Sequence, residues 1–245
     1  MGVSVADMDM VMDEQIAAAG LKDWRKLGQG LHARYRVGGF AEGVRFVGAL
    51  GVAHPPTVTL GDGFVDLKLI SQDAVYRDGD GVEHVVEWVT EKDLEAAQLV
   101  SEIAAEQGIV AVPSEITVIE MAIDTAHAAA IAPVWAVLLT GGLEAIGRGS
   151  IGNDVRDVTG RVPILWFQKT DEHETPRQRF HIDVWVPADV AEERIAAAVA
   201  AGGTVVDDSQ APSYTVIADQ DGNKACVCTA PAPVENVDAT WSVDR

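Results

Sequence analysis

The chain has 245 residues, 48% of them hydrophobic, and a formal charge of −20 from 38 acidic against 18 basic residues. Such a charge repels phosphate backbones and anionic head groups, so nucleic acid and membrane are not expected partners. No apolar run reaches the roughly 18 residues that a membrane span needs, and a start containing Asp7, Asp9, Asp13 and Glu14 lacks the basic and apolar parts of a secretion signal; the expectation is a soluble, cytoplasmic protein.

The length suits two α+β domains of about a hundred residues each. The first half reads as helix, strand, helix, strands, helix. Residues 13–19 form a short helix closed by Gly20, 32–37 alternate as a strand, and 39–51 place Phe40, Val44, Val47 and Leu50 at helical spacing. After Pro55-Pro56 come strands at 58–60 and 64–69, a turn-rich acidic loop at 77–81 and a strand at 82–89. Thr90 caps a helix over 91–107, with Asp93 where a carboxylate suits the helix dipole. Residues 108–115, with Pro113 and Ser114, read as a linker between domains at 1–110 and 115–245.

Beyond the linker come a strand at 116–123, a helix at 125–139, a Gly141-Gly142 break and a strand at 162–168. A second set follows: strand 180–186, helix 190–201, Gly202-Gly203, strands 204–206 and 214–218, an Asp221-Gly222-Asn223 turn and strand 224–229. This is a βαβββ unit written twice, spaced by about 65 residues. Cys226 and Cys228 share one face of the last strand, cannot form an ordinary disulfide, and read as core thiols. The tail 231–245 is an irregular extension with Trp241 as its anchor, and Asp171-Glu172-His173-Glu174 is a solvated loop.

Ala53-His54-Pro55, the strand ending Ser71-Gln72-Asp73, and Thr90-Glu91-Lys92-Asp93 opening a helix resemble pterin-4a-carbinolamine dehydratases, as do Trp24 to Leu27 and the helix from Phe40 to Phe46. The resemblance implies an antiparallel sheet with helices on one face, and loss of water from a 4a-hydroxytetrahydropterin. His54, Gln72 and Asp73 are the implied catalytic residues. An imidazole can hand a proton to the departing oxygen at neutral pH. Ala53 and Gln72 stand where the family has two further histidines, and glutamine can orient a hydroxyl but not titrate. The insertion between Asp73 and Thr90 carries Glu83 and His84, either of which would return a titrating group to the pocket if it reached there. The bland alternative for His54 is a histidine at a helix C-terminus, bonding terminal carbonyls.

Arg179-Phe180-His181-Ile182-Asp183, Gly202 to Val206, and Ala218 to Cys226 resemble the second half of a glyoxalase/bleomycin-resistance (vicinal oxygen chelate) domain. That family's paired βαβββ modules form a cup, which in metal-dependent members chelates a divalent ion through His and Glu. Here His181 and Glu120 are the candidate ligand-binding residues with Trp166, while Cys226 occupies the last-strand position usually held by glutamate. One histidine and one glutamate make a poor ligand set, so neither metal nor other cofactor is expected. Trp135, Trp166, Trp185 and Phe167 either line the cup or fill the core.

Three readings stay open: a dehydratase acting through His54; a lyase, isomerase or dioxygenase using the C-terminal cup; and a non-catalytic protein binding a small molecule such as a pterin. Exposed strand edges leave room for a homodimer, and the first domain serving assembly alone is a fourth.

Overall fold

The computed structural model describes residues 8–140, 143–160, 162–172, 180–200, 203–218 and 224–231. The Gly141-Gly142 break, His173-Glu174, Arg179, Gly202, the Asp221-Gly222-Asn223 turn and the tail with Trp241 lie outside them. Among the described residues no helix is long and apolar enough to cross a membrane.

The first half runs α1 (Asp13–Ala18), β1 (Arg25–Leu27), β2 (Gly30–Arg36), α2 (Phe40–Ala49), β3 (Thr57–Gly61), β4 (Phe64–Leu69), β5 (Ser71–Arg77), β6 (Glu83–Trp88), α3 (Glu91–Glu106) and β7 (Val110–Ala111). Alternation with period two buries Leu31, Ala33 and Tyr35 of β2 and Val65, Leu67 and Leu69 of β4 on one face of an antiparallel sheet ordered β1-β2-β4-β3. Phe46 of α2 and Leu94, Ala97, Val100 and Ala104 of α3 join the same cluster, so both helices cover that face. Trp24 pins α3 to it, its Nε1 donating to Ala97 O at 3.0 Å and to Ser101 Oγ at 3.1 Å. The opposite face is polar: it carries His32, Lys68, and the forked Arg34–Asp66 pair with both bonds at 2.6 Å.

Two expectations need correction here. Residues 108–115 are more than a linker, because Val110 and Ala111 pair as a strand with Arg36 and Tyr35 of β2. The chain also re-enters a strand directly after β4: β5 and β6 form a separate hairpin, because Ala74 and Val75 are buried and Met10 N–H donates to Val75 O at 3.0 Å. Its register slips between Ser71 and Ala74, which places Gln72 and Asp73 in a bulge.

The second half runs β8 (Val118–Thr125), α4 (Ala128–Thr140), β9 (Leu165–Lys169), β10 (Phe180–Trp185), α5 (Ala188–Ala200), β11 (Thr204–Asp207), β12 (Tyr214–Ala218) and β13 (Lys224–Cys228). Its sheet order is β11-β12-β13-β10-β8-β9. β10 pairs parallel with β13 and antiparallel with β8, and β8 pairs parallel with β9. β10, α5 and β11 to β13 make one complete βαβββ module. The other is β8, α4, the isolated bridges Ile146↔Val155 and Val155↔Leu165, and β9. The two modules join at the sheet centre through β8 and β10. Ile123, Ala136, Val155 and Leu165 form one core cluster, and Val186, Ala191 and Val227 another.

A charged joint connects the halves. Glu87 of β6 donates its N–H to Gly149 O at 2.9 Å, and its carboxylate lies 3.3 Å from the Arg156 guanidinium and 3.9 Å from that of Arg148.

Candidate functional site: a polar cup on the six-stranded sheet

Residues at alternate positions of a strand share a face, so β10 presents His181, Asp183 and Trp185 together. Register sets their neighbours: Asp183 lies opposite Glu120 of β8 and Cys226 of β13, and His181 opposite Ala122, which in turn faces Trp166 of β9. The small Ala122 leaves room for Trp166 to meet the His181 ring edge-on, at 5.5 Å between centroids. This face bounds a cavity of about 1040 Å³. Trp166 and Trp185 line it, whereas Trp135 and Phe167 pack on the helix side. Asp13 and Glu14 of α1 also reach the wall, so both halves of the chain build it.

His181 Nδ1 lies 3.1 Å from Asp124 Oδ1, and its Nε2 lies 3.5 Å from Asp183 Oδ1. Burial pushes the Asp183 carboxyl above its ordinary value, opposed by the His181 charge and by bonds from Cys226, Trp166 and Cys228. The Cys228 thiol is held neutral by its hydrogen bond with Cys226 and by burial, both of which raise it. Donor atoms of His181, Asp183 and Cys226 all lie within 4.8 Å of one another.

The expected ligand set changes accordingly. Glu120 is 5% exposed and its Oε2 accepts from Trp185 Nε1 at 3.3 Å, with Gly28 of the β1–β2 turn against its other oxygen. It lies on the same face as Asp183, beside Trp185, but outside the donor cluster and the cavity lining. Burial raises its carboxyl despite bonds from Gln29 and Trp185. Asp183 and Cys226 were visible as one face of each strand, but nothing in the sequence gives the register that sets them side by side.

Among the described residues, His181, Asp183 and Cys226 form a donor set that suits a divalent ion. In the tautomer whose Nδ1–H donates to Asp124, His181 would turn its Nε2 lone pair towards Asp183 and Cys226, the orientation that an outer carboxylate imposes on a metal-binding histidine. His181, Asp183 and Cys226 would hold the ion, which when bound acts as a Lewis acid towards a ligand oxygen.

The second candidate centre lies at the start of α3. His54 Nε2 is 2.8 Å from Asp93 Oδ1, and Asp93 is fully buried. Its Oδ2 accepts from Ser71 Oγ at 2.8 Å, Thr90 N–H at 2.8 Å and Thr90 Oγ1 at 3.2 Å. Asp93 is thus both a helix cap and the fixed partner of His54, a pairing across 39 residues that sequence reading missed. His54 does not bond the terminal carbonyls of α2 as the bland alternative had it. Asp73 is exposed and lies 3.6 Å from Lys92 Nζ, and Gln72 is exposed in the same bulge of β5. His84 pairs with Asp78 at 2.8 Å in the β5–β6 turn.

One complete βαβββ module joined to a second, less regular one around an open polar face fits a glyoxalase-like cup in the C-terminal half. Comparison agrees: residues 120–228 match the glyoxalase-like domain family. None of the curated proteins matches the chain.

Proposed function

We propose that the protein binds a small organic molecule with a flat ring in the C-terminal cup. The observation that carries this reading is the cavity of about 1040 Å³ that sets two tryptophans beside a group of acceptors. Aromatic walls favour a ring face. Asp124 and Asp183 favour ring N–H donors, and the acidic residues Asp13, Glu14 and Asp207 on the wall oppose an anion. A reduced pterin has this character. Titrating chelator-treated protein with a reduced pterin, followed by tryptophan fluorescence, should give a saturable change. Trp166→Ala should weaken binding by about 5- to 10-fold, the worth of one aromatic contact. If neither pterins nor other flat heteroaromatics give a saturable change up to millimolar concentration, the reading fails.

A second reading is favoured by the His54–Asp93 pair: dehydration of a 4a-hydroxytetrahydropterin. In it a half-exposed imidazole, oriented by a buried carboxylate, protonates the departing 4a oxygen. The C4a–O bond breaks with loss of a ring N–H proton, giving water and a dihydropterin, while Gln72 and Asp73 orient the substrate. Absorbance should report a rate well above the spontaneous one that collapses in His54→Ala and ignores chelator. No acceleration at high protein concentration would rule this activity out.

A further inference from the structure

We propose that His181, Asp183 and Cys226 bind a thiophilic divalent cation of the zinc or cobalt class, through a set drawn from the second module alone. The inference rests on the cup being the working site and names what would sit there.

Three observations converge. One imidazole, one carboxylate and one thiol bring their donor atoms within 4.8 Å of one another. They stand on adjacent strands in fixed parallel register, Asp183 opposite Cys226, so the backbone and not a loop sets their spacing. Asp124, on the neighbouring strand, takes the second nitrogen of His181 at 3.1 Å, which leaves the first free to ligate. The first module thus supplies an orienting carboxylate where a ligand would be expected, while Glu120 accepts from Trp185 and stays outside the donor group.

The donor types decide the ion. Magnesium and calcium take oxygen ligands, whereas a thiolate with an imidazole and a carboxylate suits zinc or cobalt. Three protein donors leave a tetrahedral ion one open position, and all three residues line the cavity, so that position faces the bound molecule. Cys226, read from sequence as a core thiol, becomes a ligand, and Cys228 stays a packed neighbour.

The test uses the full chain freed of metal by chelator and titrated with Co²⁺, then with Zn²⁺. The expected result is one ion per chain, a near-ultraviolet thiolate-to-cobalt charge-transfer band, displacement of cobalt by zinc, and no displacement by excess Mg²⁺. Cys226→Ser should remove that band, whereas Cys228→Ser should keep it. His181→Ala should abolish one-to-one binding, and Asp124→Asn should weaken it by about 10- to 100-fold. Far-UV circular dichroism verifies that each variant is folded. Absence of one-to-one binding to the wild-type protein, or a band unchanged in folded Cys226→Ser, overturns the proposal. Because the fluorescence titration above uses metal-free protein, failure of ligand binding and failure of metal binding are read separately.

Discussion

Glu120 and His32 show how single buried groups set the response of the protein to pH. Burial raises the Glu120 carboxyl, so ionising it costs more in the folded chain than in the unfolded one. The unfolded chain gives up that proton first, and stability falls as pH rises past the ordinary carboxylate range. Glu120→Gln, which keeps the shape and an acceptor for Trp185, should therefore raise the melting temperature at pH 7.5, with the gain shrinking towards pH 4. An unchanged or lower melting temperature at pH 7.5 would contradict this. His32 has the opposite sign. Burial, aided by the charges of Lys68 and Lys26, lowers it to about 3. Between about pH 6.5 and 3 the unfolded chain binds a proton there that the folded chain refuses, so stability falls as pH drops through that window. His32→Gln should flatten this acid limb in urea unfolding measured from pH 7 to pH 4; an equally steep limb would exclude His32 as its source.

Elements were legible in the sequence where one local pattern fixed them. Alternating apolar residues located β2, β4, β12 and β13, and Thr90 with Asp93 marked the start of α3. Contacts between elements were not legible, because periodicity gives the face of a strand but not its register against the next. That is why the sequence points to His181 but not to its neighbour Asp183 as a ligand, and why it offers Glu120, which shares the face of Asp183 but lies outside the donor cluster. β5 was missed for a related reason: its buried positions are covered by the segment around Met10 and Val11, a contact distant in sequence. The joint at Gly149 offers a test at this scale. Its φ is +65°, and a Cβ there would lie 2.7 Å from the Glu87 carboxyl carbon. Gly149→Ala should destabilise the chain by about 1–3 kcal/mol in urea unfolding, and a neutral result would show the joint to be slack.

At the scale of the whole molecule, 38 acidic residues against 18 basic ones make self-repulsion a general cost of compactness. Salt screens it: the Debye length falls from about 30 Å at 0.01 M to about 3 Å at 1 M. Calorimetry should show the melting temperature rising between 10 mM and several hundred millimolar sodium chloride. A fall would mean that the local pairs Glu87–Arg156 and Arg34–Asp66 outweigh the net charge.

The two modules of the six-stranded sheet are unequally built. β13 and β10 are held along their length by paired neighbours, whereas the segment through Ile146 and Val155 is tied to the sheet by single bridges. Fewer cooperative bonds mean a lower free energy of local opening. Amide protons of the segment through Ile146 and Val155 should exchange with solvent before those of β10 and β13, so the molecule opens first away from the cup and keeps His181, Asp183 and Cys226 on its quiet side.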